Sequence, residues 1–208
     1  MRFIGLLAAA AVVAGCGGTA VSDPANTAPP PGAAGSTEVS ASYNDADAAF
    51  VQGMIPHHAQ AVQMSRLAAD HASSPQVTEL ASTIEAAQDP EIAQLQDLLR
   101  AWGLSAVPTT AAGEMAGMDH GGMPGGAGHG GMSGMMTQDQ MRQLGQARGP
   151  GFDRMFLQMM IEHHDGAVAM ARTELADGQN AEARALAQKI IDAQQAEIAT
   201  MRDLLAAP

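Results

Sequence analysis

Shifting the chain by 106 positions lays FVQGMIPHHAQAVQM, from Phe50, on FLQMMIEHHDGAVAM, from Phe156. The same shift, without a gap, lays LASTIEAAQDPEIAQLQDLLRA, from Leu80, on LAQKIIDAQQAEIATMRDLLAA, from Leu186. About 22 of the 52 aligned positions are identical, which marks an internal duplication. The fold is thereby constrained to two like halves that share one core, with approximate twofold symmetry.

Each copy reads as a helical hairpin. Phe50, Met54, His57, Ala61, Met64 and Ala68 follow alternating steps of four and three, one stripe of a helix. After a turn signal at Ser73-Ser74-Pro75, a second stripe runs through Leu80, Ile84, Ala87, Glu91, Leu95 and Leu98. The second copy repeats the pattern around Asp177-Gly178-Gln179-Asn180. Helices of about 25 residues would each be close to 40 Å long. The composition agrees, being rich in Ala, Leu, Gln and Met and poor in β-branched and aromatic residues. The expected fold is all-α, a ferritin-like four-helix bundle of two duplicated hairpins joined by one long connection. Its parts are a first hairpin at 45–104, a connection at 105–136 and a second hairpin at 137–208.

Residues 1–15 read as a signal peptide: Arg2 gives a positive end, Phe3 to Val13 an apolar stretch, and Val13-Ala14-Gly15 a small-residue cleavage site. The cysteine that follows resembles a bacterial lipobox, which would make Cys16 the lipidated first residue of the mature protein. Residues 16–44 then form a tether of Ala, Pro, Gly, Ser and Thr off the membrane. The expected place is the outer face of the bacterial cytoplasmic membrane or the cell envelope. Cys16 is the only cysteine, so neither disulfides nor thiolate ligands are available to the exported domain. A formal charge of −12 argues against nucleic acid, and it suits both cation attraction and simple solubility.

The chemistry lies in Met, His, His, Met runs at spacings of three, one and six. Met54, His57, His58 and Met64 share about a third of a helix circumference, as do Met160, His163, His164 and Met170. A lone histidine on an apolar stripe is ordinarily a core histidine with a partner. Adjacent pairs, repeated and flanked by methionine, point to metal ligands. Glu91 falls on the core stripe of the facing helix at the height of His57, as Glu197 does in the repeat, with Gln88 and Gln194 beside them. These glutamates are expected to hydrogen-bond the histidines from behind or to bind metal directly; helix rotation could instead leave them at the solvent edge. Pro56 and Pro90 are expected to kink the first pair of helices. Glu162 and Ala196 stand in their places in the second.

The connection carries Met115, Met118, His120, Met123, His129, Met132, Met135 and Met136 on a glycine backbone. Methionines there are expected to have no core to fill, so packing does not account for them. Thioether and imidazole without thiolate suit copper as Cu(I), with Ag(I) as a mimic.

The segments MIPHHAQAVQM, from Met54, and MIEHHDGAVAM, from Met160, resemble the domain of unknown function 305 family, over about Asp45 to Ala207. The resemblance implies an exported ferritin-like bundle associated with copper. It also implies that Met54, His57, His58, Met64, Met160, His163, His164 and Met170 are the ligand set. The Glu-x-x-His spacing of di-iron bundles is absent.

The leading expectation is a copper-binding lipoprotein that sequesters Cu(I) or transfers it to a partner protein. Two alternatives are a His/Glu-ligated Fe, Mn or Zn enzyme and a metal-free envelope adaptor. No nucleophile–base pair, phosphate loop or cofactor fingerprint is recognisable, so no enzymatic activity is expected.

Overall fold

The computed structural model describes residues 42–109 and 133–207, so the leader, Cys16, the tether and most of the connection lie outside the described residues. The described residues form α1 (Asp45–His71), α2 (Pro75–Ala101), α3 (Gln138–Gln146), α4 (Gly149–Asp177) and α5 (Ala181–Ala206). None of these helices is long and apolar enough to cross a membrane.

Local chemistry sets most of the boundaries. Asn44 and Asp47 make a reciprocal capping box at the start of α1, and Ser74 followed by Pro75 opens α2. Asn180 accepts from the backbone of Glu182 and Ala183 to start α5. The two expected turns therefore fall where the punctuation places them. α3 was not expected, although Thr137 and Gln140 form a capping box that announces it. Both α1 and α2 run unbroken through Pro56 and Pro90.

α1 packs against α2 and α4, and α5 packs against α4 and α2, so α1, α2, α5 and α4 surround a common axis. The apolar interior is split in two. One core joins Phe50, Met54 and Ile55 of α1 with Leu95 and Leu99 of α2, Ala167 and Ala171 of α4, and Leu186 and Ile190 of α5. The other joins Met64 and Ala68 of α1 with Leu80 and Ile84 of α2, Phe152, Phe156 and Met160 of α4, and Ile198 and Met201 of α5. The start of α1 thus meets the end of α4, and the two are antiparallel. With α2 and α4 running the same way, the end of α2 and the start of α4 lie at opposite ends of the bundle, the arrangement of a ferritin-like fold. The duplicated halves exchange the two cores, which places a pseudo-twofold axis between them.

A pair of duplicate aspartates locks the halves together. The carboxylate of Asp47, fully buried, accepts from the backbone N–H groups of Asn44, Gln179 and Asn180, the last two in the α4–α5 turn. Asp153, 106 positions on, accepts from the N–H groups of Ser73 and Ser74 in the α1–α2 turn and from the Ser73 hydroxyl. Each hairpin's turn is therefore held by the first turn of the other hairpin's leading helix.

Candidate metal centre

Between the two apolar cores lies a polar layer. His57, His58, His163 and His164 are wholly inaccessible to solvent, and Gln88, Glu91 and Gln194 are buried with them. α1 and α4 bring the histidines together on the pseudo-twofold axis, where the His57 and His163 rings stand 3.8 Å apart between centroids, tilted by 45°. α2 and α5 supply the carboxylates from outside. His58 Nε2 meets Glu91 Oε2 at 2.9 Å, and His164 Nε2 meets Glu197 Oε2 at 2.7 Å. The alternative in which helix rotation leaves both glutamates at the solvent edge is thereby corrected for Glu91, although a buried imidazole draws each of them inward. Glu197 keeps a solvent edge, its side chain being 14 % exposed against 5 % for Glu91.

The glutamates differ in a further respect. Glu91 Oε1 also lies 3.3 Å from the Lys189 ammonium. Burial alone would raise the Glu91 carboxyl, but the hydrogen bond from His58, the charge of that imidazole and the Lys189 ammonium outweigh it and bring it below its ordinary value. Glu91 is therefore an ionised acceptor, and His58 Nε2 must carry the proton that it donates. His57 Nε2 meets the backbone carbonyl of Ser133 at 3.1 Å, an acceptor only, so that nitrogen is also the protonated one. Burial, and then the charge of neighbouring His58, pushes His57 down to about 3. Burial and the other three histidines hold His163 well below its ordinary value. Both rings are neutral at physiological pH and present lone pairs.

Those lone pairs have no protein partner. Nδ1 of His57, His58, His163 and His164 is buried without one, as is His163 Nε2. The amide groups of Gln88 and Gln194 are in the same position. Buried polar groups are nearly always satisfied, so a layer this rich in exceptions is built to receive something polar or cationic. Three of the four imidazoles have Nε2–H anchored and Nδ1 free, the arrangement by which partners behind a ligand histidine fix its tautomer.

The methionines bracket this layer. Met54 lies in one core, Met64 and Met160 lie in the other, and Met170 packs half-buried against the first. Among the described residues no three His, Cys, Asp or Glu side chains stand close enough to hold an ion by themselves. The neutral imidazoles of His57 and His163, with methionine in the cores on either side, fit a soft ion content with few donors.

Of the connection, Met135 is half-buried and Met136 is 4 % exposed within the second core. The expectation that its methionines have no core to fill is corrected for Met136. Gln60 clamps the backbone of that residue, donating to its carbonyl at 2.9 Å and accepting from its N–H at 2.7 Å. Met115, Met118, His120, Met123, His129 and Met132 lie outside the described residues. The pairing of Glu91 with His58 rather than His57 was not resolvable from periodicity, because adjacent residues on one face differ only by rotation.

The sequence profile of a family described as a domain of unknown function, DUF305, matches residues 47–205. A comparison with curated proteins finds no match. Among solved structures, a DUF305 protein of Streptomyces coelicolor is 34 % identical with a TM-score of 0.62, covering 77 % of this chain and 91 % of its own. A DUF305 fragment from Deinococcus radiodurans is 30 % identical with a TM-score of 0.63, covering 78 % and 96 %. CopM in its Cu(II)-bound form is 33 % identical with a TM-score of 0.61, covering 76 % and 95 %. CopM has also been solved with Cu(I) and with silver. With its profile match running across both hairpins, and with these helical relatives, the chain belongs to the DUF305 family.

Proposed function

We propose that this protein binds copper outside the cytoplasm, holding Cu(I) in the histidine layer and sequestering it or passing it to a partner protein. The observation that carries this reading is the layer of four inaccessible imidazoles whose Nδ1 atoms have no protein partner, set between cores that contain methionine. Thioether and neutral imidazole favour the monovalent, softer ion. The similarity to CopM, solved with Cu(I), Cu(II) and silver, supports the same choice.

Glu91 and Glu197 act behind the histidines, since each already accepts from an imidazole. The Met- and His-rich connection serves as the capturing segment that meets copper before the bundle does. Cys16 carries a lipid that keeps the protein at the envelope. The relative from Streptomyces coelicolor bears the name of a secreted protein, which supports export. We assign no reaction to the site.

The test is an anaerobic Cu(I) competition titration of the full chain against a variant with His57, His58, His163 and His164 all changed to Leu. The variant should lose its tightest site while retaining weaker binding by the connection. An unaltered titration would remove copper from the histidine layer.

A further inference from the structure

The duplicate positions Gln60 and Gly166 face the same segment, residues 133–136, in opposite ways. Gln60 grips it, closing two buried hydrogen bonds with the Met136 backbone. Gly166 makes room for it. A Cβ there would collide with the Ser133 carbonyl oxygen and come within 2.6 Å of its carbon and 2.8 Å of Gly134 Cα. The fit is mutual, because a Cβ on Gly134 would come 2.7 Å from the Glu162 carbonyl oxygen and 2.9 Å from that of His163. Gly134 also takes a φ of +80°, which side-chain-bearing residues rarely adopt. The segment therefore lies with its backbone directly on α4, where the histidine pair begins, and aims the Ser133 carbonyl at His57 Nε2.

We infer that Gly166, Gln60 and Gly134 form a seat that holds the end of the connection over the histidine layer, and that through Ser133 they set His57 as the tautomer whose free nitrogen, Nδ1, faces metal. These are positioning residues, acting through His57. Among the described residues one loop segment, at Ser133, meets the layer, so the pseudo-symmetry is broken here. His163, the twofold mate of His57, has no counterpart of the Ser133 carbonyl among the described residues; the His57 backbone lies near it, but neither of its ring nitrogens closes a hydrogen bond. The layer thus pairs one imidazole whose tautomer is set by a carbonyl with one whose tautomer no hydrogen bond sets. The seat also inserts Met136 into the core that contains Met64, Met159, Met160 and Met201, so the connection enters the bundle on a thioether-rich side. The role toward metal rests on the copper reading above, whereas the seat and the tautomer do not.

The experiment uses the full chain and two variants, Gly166→Ala and Gln60→Ala. Alanine is a better helix former than glycine, so Gly166→Ala keeps α4 intact while closing the seat. In metal-free wild-type protein at neutral pH, nitrogen NMR of the histidines should show His57 as a single tautomer with a slowly exchanging Nε2–H. In Gly166→Ala that signal should broaden or average, and amide exchange at residues 133–137 should accelerate at least about tenfold. Gln60→Ala should shift both in the same direction but less. Cu(I) affinity should fall about tenfold in Gly166→Ala, the effect expected when a group behind a ligand histidine is lost.

An unchanged His57 tautomer and unchanged exchange in both variants would overturn the seat. A lost tautomer with undiminished Cu(I) affinity would overturn its role in positioning the ligand. If wild-type protein itself fails to bind Cu(I), the copper reading falls, and the NMR and exchange results still decide the seat.

Discussion

Replacing His163 by Leu should make the metal-free protein more stable and the copper-loaded protein weaker. His163 is wholly inaccessible, and neither ring nitrogen has a protein partner. Each unsatisfied buried polar group costs roughly 1–3 kcal/mol, and leucine, of similar size and branching, removes both. Loss of the ring contact with His57 offsets about 1 kcal/mol, and refitting the side chain offsets about 1 more. The net expectation is a gain of about 2 kcal/mol, the middle of a range of about 0–4 kcal/mol, which for a domain of this size corresponds to a melting temperature higher by roughly 4–8 °C. With Cu(I) the order should reverse, because ligand binding stabilises wild-type protein by an amount that grows with the ratio of free ion to Kd. Calorimetry with chelator and with buffered Cu(I) measures both. A metal-free His163→Leu protein destabilised by more than about 1 kcal/mol would refute the reasoning, since the imidazole would then be a working part of the core.

Three further expectations follow from the same geometry. Glu91→Gln keeps an acceptor for His58 but loses the charge, so Cu(I) affinity should drop about 10-fold to 100-fold in a competition titration, with a smaller effect for Glu197→Gln at its wetter edge. Asp47→Ala, which removes a fully buried carboxylate and leaves three backbone donors without it, one of them buried, should cost about 2–4 kcal/mol in urea unfolding, and Asp153→Ala, at a half-buried site, about 1–2 kcal/mol. Burial, and then the adjoining Asp47 carboxylate, pushes Glu174 up to about 8 from its ordinary 4.5, so the folded protein holds a proton that the unfolded chain releases. Its contribution is full below pH 4.5 and is lost as pH rises through about 8, a decline on the order of 2–4 kcal/mol that Glu174→Gln should flatten in unfolding titrations against pH.

The duplication made most of the bundle legible. Two hairpins of matched length, turns at Ser74 and Asn180, and antiparallel pairing follow from stripe periodicity and capping chemistry, both local properties. The meeting of His and Glu across each hairpin was also legible, because a fixed turn sets the height of every residue on the facing helix. What escaped depends on rotation and on long-range contact. Which histidine takes Glu91 is decided by about 100° of helix phase. Asp47 and Asp153 obey the same 106-residue shift, but they stand just ahead of the strongly matching block, and their partners lie in the other hairpin. Gly166 looked like one more glycine, because only the returning connection shows why a side chain is excluded. Met136 looked exposed for a related reason: it belongs to a glycine-rich stretch by composition and to a core by the grip of Gln60.

If the proposal holds, the histidine layer, and not only the connection, binds copper. This is tested most directly by copper K-edge X-ray absorption on the full chain loaded anaerobically with one equivalent of Cu(I). The expected shell mixes imidazole nitrogen and thioether sulfur, and its nitrogen contribution should fall in the variant lacking His57, His58, His163 and His164, where the connection offers only His120 and His129. A sulfur-only shell in the wild-type protein, or an identical shell in that variant, would contradict the proposal and leave the layer without its ion.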